Sequence, residues 1–101
     1  MSDGRIGYKE AKRRVLAALA AGSYRHETRD GIDEKNKLLM GDISAEEVSV
    51  IIRKSTGTQH TMSPHHASPK VTVHTIICLD WYIKFYFVTP NTVFISVHPS
   101  R

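Results

Sequence analysis

Apolar residues recur at Tyr8, Ala11, Val15 and Leu19, with Leu16 beside them and Lys9, Lys12, Arg13 and Arg14 spread around the rest of the cylinder. Steps of three and four residues predict an amphipathic helix starting at Tyr8. Gly22 is placed to stop it, and residues 1–7, "MSDGRIG", read as a frayed start. From Ser23 to Asp42 the chain is rich in charges and turn formers, with one apolar cluster at Leu38, Leu39 and Met40; this predicts a long loop or a short strand. A second helix is signalled by Ser44 and Glu47, the two ends of a capping box, with Ile43 and Val48 in the positions of a hydrophobic staple. It runs from about Ala45 to Lys54, buries Val48, Ile51 and Ile52, and carries Arg53 and Lys54 at its negative end.

"TGTQHTMSPHHASPK", residues 56–70, is a loop by composition. Beyond it, "VTVHTIICL", "WYIKFYFV" and "TVFISVH" are β-branched and aromatic runs of strand length, which predict a three-stranded antiparallel meander. The order of helices followed by strands predicts a single α+β domain over residues 1–101, two N-terminal helices packed on one face of a small antiparallel sheet. A three-residue turn at Thr89, Pro90 and Asn91 pairs Val88 with Thr92, Tyr86 with Phe94, Lys84 with Ser96 and Tyr82 with His98. Ile83, Phe85, Phe87, Val93, Ile95 and Val97 then share the core face, whereas a two-residue turn mixes the faces. Against this, Thr89 precedes a proline and resists the helical conformation that such a turn prefers.

Charge changes the picture in its distribution. Up to Arg29 there are seven Lys or Arg against three acids, and beyond it seven against seven, so the whole excess of +4 lies in the first third. A basic patch of that kind suits RNA or an acidic protein. The single cysteine, Cys78, excludes an internal disulfide framework and fits a reducing cytoplasm. The longest apolar helical run, "VLAALAA", is too short to span a bilayer. No P-loop, G-x-G-x-x-G or G-x-S-x-G is present, which leaves nucleotide-cofactor and serine-nucleophile chemistry without support.

What remains is the outer sheet face. Tyr82, Lys84, Tyr86, Ser96 and His98 alternate with the core residues, and His74 joins them if the hairpin at Asp80 keeps parity. Histidine exchanges protons near neutral pH without a large shift. RNA is cut without a metal when one group deprotonates the ribose 2′-hydroxyl, a second protonates the departing 5′-oxygen, and cations stabilise the phosphorane. Two histidines, a tyrosine and a lysine on one face supply those parts. The spacing "HxxxxHH" matches no compact metal-ligand pattern.

The run "WYIKFYF" followed by "FISVH" resembles the closing strands of the MqsR-type toxins of bacterial toxin–antitoxin systems, members of the RelE-like superfamily of small ribonucleases. "VSVIIRKS" is similar to that family's second helix and "QHTM" to its loop, while "GDISAEEV" is similar to the related BrnT-like toxins. The resemblance implies a RelE-like toxin domain, a metal-independent endoribonuclease with no cofactor, an RNA substrate, a cognate antitoxin and a cytoplasmic site of action, with no membrane partner. It puts Tyr82 at the family's active-site tyrosine, His98 and His60 where lysines are usual, and His74 near a polar strand residue. The expected site is therefore His98 and His60 as the proton-transfer pair, Tyr82 as orienting donor or acid, and His74 beside them. Lys84, Arg13, Arg14, Arg25 and Arg29 hold phosphates. The alternative is an accessory domain that binds RNA or protein without cleaving.

Overall fold

The computed structural model describes residues 6–27 and 35–101. Helix α1, Tyr8–Ala21, buries Ala11, Val15, Ala18 and Leu19 along the predicted stripe and ends at Gly22 in the left-handed conformation (φ 74°), which a glycine adopts without a Cβ clash. Strand β1, Tyr24–His26, follows at once. A four-residue helix α2, Lys37–Met40, is capped by Asn36, whose side chain accepts from the Leu39 amide at 3.0 Å. Helix α3, Ala45–Lys54, has the full capping box: the Glu47 amide donates to Ser44 Oγ, and the Ser44 amide donates back to the Glu47 carboxylate. Lys12 Nζ donates to the carbonyls of Arg53 and Ser55, which fastens α1 to the electronegative end of α3.

The sheet has five strands in the order β1-β5-β4-β3-β2, with β2 His60–Pro64, β3 Thr72–Cys78, β4 Trp81–Val88 and β5 Asn91–Pro99. The α+β class holds, but the sheet is mixed and wider than the expected meander. Strand β1 adds to β5 in parallel, and β2 adds to the edge of β3. A third helix, α2, stands beside the two expected ones. The core lies between α1, α3 and one face of the sheet, built on Val15, Val48, Ile52, Ile76, Ile83, Phe85, Phe94 and Val97.

Two turns decide what each face carries. Thr89 and Pro90 form a two-residue turn with a cis peptide bond between them, so that Val88 pairs with Asn91, Phe87 with Thr92 and Tyr86 with Val93. The three-residue turn is thus incorrect, as the restriction on a residue before proline explains. Ile95 then stands as the extra residue of a bulge between the Phe85–Phe94 and Lys84–Ser96 pairs, which restores the expected register of Lys84 with Ser96 and Tyr82 with His98. Phe94, rather than Val93 and Ile95, enters the main core cluster.

At the other hairpin, Leu79 and Asp80 both take positive φ, 50° and 67°, as a two-residue turn between Cys78 and Trp81 requires. A leucine there is 56% exposed and costs about 1 kcal/mol against a residue that tolerates left-handed backbone. Leu79→Asn is expected to raise the unfolding free energy by about 0.5–1 kcal/mol in urea denaturation; a loss of stability would show that the leucine packs against something.

Candidate functional site

The face turned away from α1 and α3 is laid out in cross-strand rows. Ile77, Tyr82 and His98 form the first, Thr61, Thr75, Lys84 and Ser96 the second, and Tyr86, Val93 and Arg25 the third, with the Ser63–Val73 pair on the same face of β2 and β3. Tyr82 and His98 are half-buried and stack with ring centroids 4.9 Å apart and planes 16° from parallel. His98 Nδ1 lies 2.8 Å from the Pro99 carbonyl, which can only accept. The ring proton therefore sits on Nδ1, and Nε2 keeps a lone pair. Lys84, one row along, is diagonal to His98 and within the reach of a four-carbon side chain.

His60 and His74 are elsewhere. The Leu79–Asp80 turn pairs Tyr82 with Ile77 and Phe85 with His74, so parity reverses and His74 lies on the core face, 1% exposed. His60 follows it: its Nε2 is 3.0 Å from His74 Nδ1, the two rings stack at 5.2 Å, and Tyr8 packs at 5.4 Å. The sheet separates both histidines from Tyr82 and His98, so the expected His98–His60 proton-transfer pair is not formed. One proton serves the shared N···N position, and burial pushes the His60 pKa down. Burial also lowers that of His26, whose Nδ1 accepts from the Asn36 amide nitrogen at 2.9 Å.

The lowered pKa values set a pH dependence of folding. Where the folded pKa falls below the unfolded value near 6.5, the stabilisation is complete above 6.5 and is lost as pH falls through the folded value. Urea midpoints are expected to drop between pH 7 and pH 5, and the drop should shrink in His60→Gln. Glu10 acts in a separate, lower window, because hydrogen bonds from Arg13 and Arg14 hold its carboxyl at about 2.

The expected phosphate ligands also divide. Arg25 is on the polar face, at its β1 edge beside Val93. Arg13 and Arg14 line a groove at the β4–β5 turn, on the helix side. That turn is seven residues along β4 from Tyr82, roughly 23 Å at 3.3 Å per residue. They cannot reach a ligand held by Tyr82 and His98. Arg29 lies outside the described residues.

A cluster not anticipated from the sequence closes the far end of the polar face. The Glu27 carboxylate accepts from His65 Nε2 at 2.7 Å and from the Tyr86 hydroxyl at 3.1 Å. Amides of Ala67 and Ser68 donate to His65 Nδ1, which fixes the ring proton on Nε2, facing the carboxylate. These contacts tie the loop after β2 to β1 and β4, and His65 is only 8% exposed. They bound the open part of the face without adding an accessible proton donor. Among the described residues no three His, Cys, Asp or Glu gather as a metal-ligand group, and no helix is long and apolar enough to cross a membrane.

No family model, curated protein or solved structure matches this chain.

Proposed function

We propose that this chain is a metal-independent endoribonuclease of the RelE-like kind, the toxin of a toxin–antitoxin pair, which cuts RNA by attack of the ribose 2′-hydroxyl. The reading is carried by one observation: Tyr82 and His98 stack on the outward face, with His98 Nε2 holding a free lone pair. In the proposed reaction Nε2 takes the 2′-hydroxyl proton and O2′ bonds to phosphorus. The P–O5′ bond breaks, and the departing oxygen receives a proton from the Lys84 ammonium. Tyr82 donates a hydrogen bond to the phosphorane, whose charge Lys84 also stabilises before the transfer. The products are a 2′,3′-cyclic phosphate and a 5′-hydroxyl.

His60 and His74 have no part in this version, and Lys84 takes the role of the missing second group. The site of action would be the cytoplasm, and the antitoxin would cover the polar face. Incubation of the purified protein with RNA in EDTA tests the proposal. Cleavage leaving cyclic-phosphate ends is the expected result; tight binding without cleavage would instead favour an RNA-binding accessory domain.

A further inference from the structure

The arginines that the polar face does not use stand at the head of a groove of about 430 Å³ between α1 and the β4–β5 turn. That volume is in the range of small-ligand sites. Its floor is formed by Ala17 and Ala18, one helical turn beyond Arg13 and Arg14, and Ala21, two turns beyond, where short side chains leave the helix backbone approachable. Phe87 and Pro90 make the opposite wall, and Arg14 lies over the Phe87 ring at 5.7 Å. Ser23, Thr89 and Asn91 add hydroxyl and amide groups along the rim, with Thr92 buried beneath them.

One end of the groove is therefore a double guanidinium, and the rest is lined by alanines, Phe87 and Pro90 with hydroxyl and amide groups among them. In the free protein the guanidinium pair is already occupied by a carboxylate of the same helix. Arg13 and Arg14 both donate to Glu10, Arg14 at 2.8 Å. Glu10 and Arg13 are solvent-facing, so this intrahelical pairing contributes little to stability and is readily exchanged.

We propose that this groove is a binding site for a nucleoside phosphate, with the phosphate on Arg13 and Arg14 in place of Glu10 and the base lying over the alanine floor. A phosphate presents a doubly charged, multidentate acceptor that a carboxylate side chain cannot match, and the guanidinium fork suits it. The base would have Phe87, Pro90 and the alanine methyls to pack against, apolar surface that the carboxylates of an acidic peptide would not use. A free nucleotide and the 5′-phosphorylated end of an RNA share this chemistry. The inference does not depend on the nuclease reading, because the groove and the Tyr82–His98 pair are at opposite ends of β4.

The test is titration of 5′-AMP into the full-length, isotope-labelled protein, followed by NMR. Shifts centred on the Ala17, Ala18 and Ala21 methyls and the Asn91 amide are expected. Affinity should fall at least tenfold for adenosine and for Arg13→Ala/Arg14→Ala, and should rise several-fold in Glu10→Gln, where the internal competitor is gone. The opposite sign in Glu10→Gln, or no shifts at 10-mM AMP (about the weakest useful affinity), would overturn the proposal. So would stronger binding of a glutamate-rich peptide than of AMP. A 5′-phosphorylated tetranucleotide that binds more tightly than AMP identifies an RNA end as the ligand; equal binding identifies a free nucleotide. The same titration in His98→Ala should be unaltered, which keeps failure of the groove distinct from failure of the nuclease.

Discussion

His98→Ala is expected to lower RNA cleavage in EDTA by about 10²- to 10⁴-fold, the usual contribution of a positioned proton-transfer group. The size of the effect follows from tautomer and placement together. The Pro99 carbonyl holds the proton on Nδ1, and stacking on Tyr82 orients the ring, so Nε2 is presented as a base with little conformational entropy left to lose. Alanine removes the base and leaves the fold intact, since His98 is half-exposed on a strand that Ile83 and Val97 hold from the other side. Tyr82→Phe keeps the stack and loses only the hydroxyl, so it should cost less than Tyr82→Ala. His60→Ala, across the sheet, should cleave nearly as wild type. An equal loss in His60→Ala and His98→Ala would mean that the polar face is not where cleavage happens.

The largest expected loss of stability comes from Phe85→Ala, at about 3–5 kcal/mol, against the roughly 5–15 kcal/mol that holds a domain of this kind together. Phe85 is fully buried at the middle of the central strand β4. Its ring meets His74 at 5.6 Å, Phe87 at 5.6 Å and Phe94 at 6.0 Å. Truncation opens a cavity among groups fixed by four separate strand pairings, which cannot collapse without breaking the sheet. It also removes the ring against which His74 stacks, and so loosens the His60–His74 pair. Urea denaturation with linear extrapolation measures the effect; a change below about 1 kcal/mol would show that the core is far more plastic than its packing indicates.

The parts of this fold that were legible in the sequence are those governed by local chemistry. The α1 stripe, the Gly22 stop and the Ser44–Glu47 capping box all depend on residues within four positions of one another, and the structure has each where the pattern puts it. The pattern read residues 56–70 as loop and allowed a short strand somewhere in 23–42, but it located neither β1 nor β2. Both are edge strands, short and largely polar, and β2 ends at Pro64, so neither carries the alternation that a half-buried strand imposes.

The site divides along the same line. Tyr82 and His98 fell on one face as expected, though by a different route: a two-residue turn shifted the register and the Ile95 bulge returned it. His74 was misplaced because turn length alone fixes its face, and Leu79–Asp80 offers only the aspartate as a signal of a left-handed two-residue turn, with a leucine where Asn, Asp or Gly is usual. The Glu27–His65–Tyr86 cluster joins residues 38 and 59 positions apart. No periodicity connects such residues, since only the closed sheet brings them together.

A 2′-O-methyl RNA oligonucleotide, which binds but offers no attacking hydroxyl, tests most directly whether one phosphodiester sits at the edges of the stacked Tyr82 and His98 rings. Added to labelled protein, it should shift the Tyr82 and His98 ring signals together with the Ile77 methyl and the Lys84 side chain. Shifts confined to Tyr8, His60 and His74, with the Tyr82 and His98 rings unmoved, would contradict the account.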